Sequence, residues 1–454
     1  MILGEKKIKL GLRISVVEGV FANVHGTLTS GLFLTGFALY LGANDFQIGL
    51  LAAIPAIFAS FGFIGAFLIT RLEVRKKLTV WTAGIGRGLF FIPVCLMLLK
   101  YKIHLGFLLL LIGVFNGLLT ICGNAWTSWM SDLVPKEMRG RYFGIRNTII
   151  GLIGMMIAFG GASLLDQFKK MKMIDRGYEL VFLIAVIAAG VSTYLLSQQP
   201  KVSIRRPRTE WKTLFLAPLR DRNYRRFLYF MGFWSLTGGV AGPFYLVYML
   251  RNLEMSYRQV AVYGIIGGAL SLVFGLIWGF AIDKVRSKPV LAINFFVVGF
   301  LPILWLFPTK HFLLPVWLDG VGNGVLWSGV NLAVFNIVLS LSDNEEIKES
   351  YFAIFAAVTG IGGFVSSILG GFIAHLLINF KLVIFGHTYI NYHLLFVFAA
   401  VTRFVSLFFL KEVREPKAYP TLYALEVMGD YAVRRLNYGK ELILNTLRFL
   451  KPRS

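Results

Sequence analysis

Gly113-Val114-Phe115-Asn116-Gly117 returns 207 residues later as Gly320-Val321-Gly322-Asn323-Gly324, and the next asparagines, Asn124 and Asn331, keep that offset. Working outward, Leu28-Thr29-Ser30-Gly31 matches Leu236-Thr237-Gly238-Gly239 at an offset of 208, and Tyr142-Phe143-Gly144-Ile145 matches Tyr351-Phe352-Ala353-Ile354 at 209. Thr70-Arg71 through Arg75 matches Asp283-Lys284 through Lys288 at 213. One such match between apolar segments is a chance event. Several in the same order, with offsets drifting as loop insertions would make them drift, mark a duplicated unit.

Composition says where that unit resides. The 454 residues are 57% hydrophobic and 15% charged, with 41 Phe and a mean hydropathy of +0.70. A water-soluble chain needs about a quarter charged residues, so lipid must cover much of this surface. Apolar runs of ~20 residues are long enough to cross the hydrocarbon as helices. Such runs are predicted near 15–41, 46–70, 78–99, 104–131, 143–165 and 178–197, then 227–250, 259–282, 289–308, 312–340, 351–378 and 388–410. The predicted fold is an all-α integral membrane protein with twelve transmembrane helices in two pseudo-symmetric six-helix bundles.

The net charge of +23 is a topology signal. Lys and Arg stand in short blocks between apolar runs, which argues against nucleic acid. With the N-terminus inside, 34 of them fall on inner segments and 10 on outer loops, the asymmetry expected of cytoplasmic loops. Both termini are therefore expected in the cytoplasm of a multi-pass cell-membrane protein. Six spans per unit is an even number, so both units enter the membrane in the same direction. That is a parallel repeat about an axis along the membrane normal. The expected division is an N-terminal arm (1–13), a six-helix bundle (14–197), a basic linker (198–225), a second bundle (226–410) and a basic tail (411–454). Apolar residues recur at helical period in the tail, at Leu422, Leu425, Met428, Leu436, Leu447 and Leu450, which predicts a helix on the inner leaflet.

At this point the chain resembles the major facilitator superfamily over residues 14–410. Gly279-x-x-x-Asp283-Lys284 with Lys288 resembles the family's Gly-x-x-x-Asp-Arg/Lys loop. The first half departs from it, with Ala66 and Thr70 at the Gly and Asp positions, but keeps Arg71 and Arg75. Asp132-Leu133-Val134-Pro135 to Arg139-Gly140-Arg141 is similar to the loop between helices four and five. The resemblance implies a secondary transporter that moves a small solute by alternating access, coupled to protons. It also implies a cytoplasmic gate of Asp283, Lys284, Lys288, Arg71, Arg139 and Arg141, whose charges hold helix ends together. The plainer reading is that these charges only set topology.

Polar groups inside a bilayer are costly and should face a cavity or another helix. Asn116, Thr120 and Asn124 recur on one face of the fourth helix, and Asp319, Asn323, Trp327 and Asn331 on one face of the tenth. They are candidates for a central binding site; hydrogen bonding within one bundle is the other reading. His25 and Glu18, two turns apart on the first helix, are candidates for substrate or proton binding, as histidine titrates near pH 6.5. Glu18 could equally pair with a basic residue. Asp319 is the leading proton-coupling candidate, because its counterpart in the first half is apolar Ile112; an acid at the outer helix end is the other reading. Arg87 and Arg403 are buried cations, suited to an anionic substrate group or, more simply, to neutralising Glu18 or Asp319. Gly238-Gly239-x-x-Gly242-Pro243 weakens the seventh helix.

There is no Gly-x-x-x-x-Gly-Lys-Ser/Thr loop, so ATP-driven transport is not expected, and no His-Glu-x-x-His or Gly-x-Ser-x-Gly. No cofactor, metal site or enzymatic activity is expected. The partners expected are a small solute, protons and membrane lipids, and the chain is read as a monomer. A non-transporting receptor on a carrier fold and, further off, a lipid-modifying enzyme are the alternatives.

Overall fold

The structure is a computed structural model; it describes residues 5–62, 75–201, 218–342, 348–384, 386–415, 418–427 and 429–430. Arg71, most of the linker and the tail beyond residue 430 lie outside the described residues, and with them the family-type loop at Thr70 and most of the tail helix expected from the sequence. Helices α1 (Glu5–Leu28) and α2 (Gly31–Tyr40) form the first span and α3 (Asp45–Ser60) the second. The third is α4 (Arg75–Gly88) with α5 (Phe91–Leu98); α6 (Leu105–Leu133), α7 (Arg139–Lys170) and α8 (Ile174–Gln198) complete the first half. In the second half, α9 (Arg222–Val247) runs into a π turn (Tyr248–Asn252), followed by α10 (Tyr257–Val285), α11 (Ser287–Val298) and α12 (Leu301–Leu304). Then come α13 (Leu314–Leu341), α14 (Lys348–Leu376), strands β1 (Lys381–Ile384) and β2 (His387–Ile390), and α15 (Asn391–Lys411).

Among the described residues nine helical spans are long and apolar enough to cross a membrane, and α3 is a shorter apolar helix. The remaining two of the twelve are the first span and the seventh. The first is interrupted where Thr29 and Ser30 donate their hydroxyls to the His25 and Gly26 carbonyls, at 2.7 and 2.6 Å, and Gly31 takes a positive φ of 49°. Such back-bonding loosens a helix, and glycine admits the turn. The seventh starts on Arg222, Arg225 and Arg226, which lower its hydropathy. It keeps Pro243 inside the helix and ends in the π turn. The hairpin β1–β2 was not anticipated: the twelfth span was expected from 388, but Lys381 to Ile390 pair as antiparallel strands around Gly386 at φ 78°.

The helix contacts obey the repeat. The first span packs on the fifth and sixth, and the seventh on the eleventh and twelfth. The second packs on the fourth and the eighth on the tenth; the third meets the fourth and sixth as the ninth meets the tenth and twelfth. Two seams join the halves, α3 with α14 and α7 with α10, and the duplication interchanges them. The α3–α14 seam is made of backbone. A side chain on Gly49 would meet the Ser367 carbonyl at 2.5 Å and Gly371 Cα at 2.7 Å, and one on Gly360 would meet the Ala56 carbonyl at 2.6 Å. The other seam is padded by side chains, with Met155 lying on Gly268.

The paired glycines that reveal the repeat are packing sites. Gly117 receives the Phe58 ring, and Gly324 lies against Gly267, whose carbonyl oxygen stands where a Cβ would have to go. Gly324→Val should therefore lower the thermal midpoint of the purified protein, corresponding to about 1–3 kcal/mol of overpacking or more. Gly106→Ala, which meets nothing within 4 Å, should leave the midpoint unchanged. Equal midpoints for the two variants would contradict the α10–α13 packing.

Candidate functional site

An even number of spans puts residues 5 and 411 at the same end of the bundle, called here the terminal end. The far end is closed by the two seams. Asn44 caps α3 in a reciprocal pair with Gln47, which sets Asp45 in its first turn, where a carboxylate is favoured. Asp45 is buried and takes hydrogen bonds from Arg251 Nη1 at 2.8 Å, Tyr392 Oη at 2.7 Å and Asn391 Nδ2 at 3.2 Å. Arg251, held out by the π turn, also donates to the Ala43 carbonyl at 2.9 Å. On the other seam the Asp166 carboxylate accepts the backbone N–H groups of Tyr257 and Arg258, each at 2.9 Å, so that α7 caps the start of α10. The Tyr178 and Tyr257 hydroxyls meet alongside at 2.8 Å.

Toward the terminal end, past Met155 on Gly268, no hydrogen bond or ion pair among the described residues joins α7 to α10. Gly154, Ala162 and Leu165 of α7 are buried, and no residue from Arg139 to Ile153 is. Two adjoining cavities of about 390 and 370 Å³ open in the second half and share Trp234, Ser235, Trp327 and Thr359. Asn323, Tyr245 and Arg403 line the first, and Asn331 with Phe355 the second.

Asp319, 3% exposed, accepts the Tyr263 hydroxyl and the Asn323 amide on one oxygen, each at 2.7 Å, and no Lys or Arg among the described residues pairs with it. Asp319 lies five residues after Leu314, in the second turn of α13, buried against α10. Arg403, 7% exposed, donates to the Val298 carbonyl at 3.0 Å and lies 5.6 Å from the Trp234 ring. It forms no ion pair with Asp319, so the expected neutralisation is not a direct contact. Trp327 and Trp234 approach to 5.9 Å between ring centroids.

In the first half Glu18, 2% exposed, is the centre of an ionic cluster. Arg87 Nη1 lies 3.4 Å from it, Arg146 Nη2 3.9 Å, and Ser192 donates at 2.8 Å. Arg146 also sits 4.5 Å over the Trp126 ring. The sequence counts Arg146 as a loop charge; it is inside the bundle because α7 begins at Arg139, two turns earlier. His25 is not at a site between the halves. It is packed inside the first bundle between Phe90 and Phe115, and its Nε2 lies 3.2 Å from the Arg87 carbonyl oxygen.

The two polar stripes are unequal. Asn331 and Trp327 line the cavities, but Asn116 returns its amide to the Ile112 carbonyl and Asn124 donates to Gly62 on the second span, at 2.7 Å. Thr120 is half-buried. For Asn116 and Asn124, hydrogen bonding within the first bundle is what the structure shows. The family-type gate does not join the halves either. Arg75 pairs with Asp132 at 2.7 Å, and Arg139 binds the Ser131 and Val134 carbonyls, all within the first half. Lys288 donates to the Lys411 and Val413 carbonyls, while its backbone N–H and that of Ser287 bind the Glu415 carboxylate. Asp283, Lys284 and Arg141 are exposed, and no ion pair among the described residues includes them. These groups tie helix ends within a half, and the ties between halves are at the other end. No group of three metal-ligating side chains occurs among the described residues.

Twelve helices in two repeated bundles, sealed together at one end, with a largely apolar cavity that holds a few polar groups in the second half, define a multi-pass membrane protein of the carrier type. The sequence matches the Major Facilitator Superfamily over residues 19–347. The chain belongs to that superfamily of membrane transporters. Among curated proteins none matches the sequence significantly. Solved structures share the fold. A point variant of the nucleoside transporter NupG aligns with a TM-score of 0.70 at 13% identity, covering 90% of this chain and 100% of its own. A bacterial homologue of the human lysosomal transporter Spinster, inward-facing and unoccupied, gives 0.59 at 14%, covering 90% and 95%. The Escherichia coli fucose:proton symporter FucP gives 0.57 at 13%, covering 90% and 100%.

Proposed function

We propose that this protein is a secondary active transporter that moves a small solute by alternating access, coupled to protons through Asp319. The termini lie in the cytoplasm of the cell membrane, and the conformation described here is open toward them. The boundaries follow the repeat: bundles at 14–197 and 226–410 are joined by the linker 198–225, with 1–13 and 411–454 as arm and tail. The observation that carries the reading is the one-sided closure. Both seams that the repeat interchanges are bonded at the far end through Asp45 and Asp166, and no residue of α7 from Arg139 to Ile153 is fully buried. A body closed on one side and open on the other is half of an alternating-access cycle.

The repeat offsets carry Asn331 to Asn124, Trp327 to Thr120, Asn323 to Asn116 and Phe355 to Arg146, but the residues that line the two cavities all belong to the second half. Asp319, held by two hydrogen-bond donors and no cation, can take up and return a proton without breaking an ion pair. The carrier is not an enzyme, and it works without a cofactor. Its symport partner in FucP, a proton, supports coupling by analogy of fold alone.

The experiment is flux into proteoliposomes with and without a pH gradient. Asp319→Asn should lower gradient-driven accumulation by about tenfold or more, the size of a typical coupling between two sites. Exchange of solute at equal pH should persist. Unchanged accumulation in Asp319→Asn removes Asp319 from the coupling, and the absence of flux of any solute removes the carrier reading.

A further inference from the structure

The larger cavity has unmet hydrogen-bond donors in its wall. Arg403 Nε is buried and has no acceptor, and the Tyr245 hydroxyl is buried without any partner. Both residues line the 390 Å³ cavity. A buried donor left unpaired costs about 1–3 kcal/mol, and more when charged, so native proteins pair nearly all of them. Arg403 also carries a whole charge. Arg87 and Arg146 share Glu18, whereas no carboxylate among the described residues pairs with Arg403. The remaining wall combines Trp234 and Trp327, whose rings stand 59° apart, with Ser235, Thr359 and glycines that leave room beside them. Asn323 has committed its amide N–H groups to Asp319 and Tyr263, which leaves its carbonyl for a ligand donor.

We infer that this cavity binds an organic anion: a flat ring, stacked on Trp327 and Trp234, that presents a carboxylate or phosphate to Arg403 and Tyr245. The inference rests on the carrier reading above and names its substrate class. The geometry selects the class in two ways. An acceptor-only group satisfies two orphan donors at once, and charge-assisted bonds to guanidinium are the strong ones. A rigid ring resting against the touching indoles loses fewer rotamers on binding than a flexible chain would. A neutral ring of the same shape would leave the Arg403 charge unmatched.

The test is calorimetric titration of the purified protein with benzoate and phenyl phosphate, each against its neutral isostere, benzamide and phenyl methanesulfonate. At least one anion should bind more tightly than its isostere, and which of the two does so separates carboxylate from phosphate. Arg403→Gln should weaken that anion by about tenfold or more and leave the isostere unchanged. Trp327→Ala should weaken both. If Arg403→Gln does not fold, Arg403→Lys and Tyr245→Phe serve: the lysine should keep part of the preference, and the phenylalanine should lower it by about threefold or more. Any outcome in which neither anion binds more tightly than its isostere, or in which the preference survives Arg403→Gln, overturns the inference. Flux of the labelled anion into proteoliposomes separates the two claims. Tight anion binding without flux refutes the carrier but keeps the assignment of the pocket; flux confined to neutral solutes does the reverse.

Discussion

Asp45→Ala should open the end of the protein that is closed here. Three side chains from the second half converge on this one buried carboxylate, from the π turn after α9 and from the first turn of α15. Arg251 is 39% exposed and stays solvated when its partner is removed, so the loss is that of the charge-assisted hydrogen bonds to the buried carboxylate, about 3 kcal/mol in all. These contacts span the two halves, so the loss falls on the closed state alone. The equilibrium between the two openings should shift by about a hundredfold or more. Spin labels at Lys170→Cys on the first half and His311→Cys on the second, both exposed at the far end, with Cys95 and Cys122 replaced by serine, read the distance directly. A longer mean separation in Asp45→Ala is the expected result, and Arg251→Ala should reproduce part of it. A distance distribution identical to that of the unsubstituted protein would show that this cluster does not hold the halves together.

Glu18→Ala should be the most destabilising single change in the first half. Glu18 is the only acid within reach of Arg87 and Arg146 among the described ion pairs, and Ser192 completes its coordination. Its loss leaves two cations buried in one bundle with nothing between them, a change of about 3–5 kcal/mol. The midpoint of thermal unfolding in detergent should fall accordingly. Adding Arg87→Gln to Glu18→Gln should recover much of the loss, since neighbours in one network are not additive. A single variant that unfolds with the native midpoint would mean that water, not Glu18, balances the two arginines.

The fold was legible because it is written twice. Twenty-residue apolar runs locate the spans, and a repeat of short motifs orders them in two sets; both are local or nearly local signals. The candidate site was legible in part. Asp319, Asn323 and Trp327 are four residues apart on one face, and an acid without a counterpart in the other half stands out against the repeat. The far-end seal gave no such signal. Asp45, Arg251 and Tyr392 lie in three short loops or helix ends more than a hundred residues apart, and nothing in one loop reports what the others hold. Arg146 was lost to a boundary. The helix starts at Arg139, four residues before the expected span, which carries a residue counted among the loop charges a turn deeper, to the Glu18 cluster. The asparagine stripe of α6 misled for another reason: an amide can satisfy its own helix's carbonyl or that of an adjacent span, as Asn116 and Asn124 do, so helical spacing alone does not say which way it points.

The two seams differ in material as well as position. Where Gly49 and Gly360 set backbone against backbone, there is no rotamer to change and little gap to widen, so α3 and α14 can turn about one another but hardly separate. Where Met155 rests on Gly268, a thioether with several torsions fills the space and can yield. The molecule thus has one stiff edge and one compliant edge, and its halves would swing like a book about its spine, the α3–α14 side serving as fulcrum and the α7–α10 side travelling the longer arc.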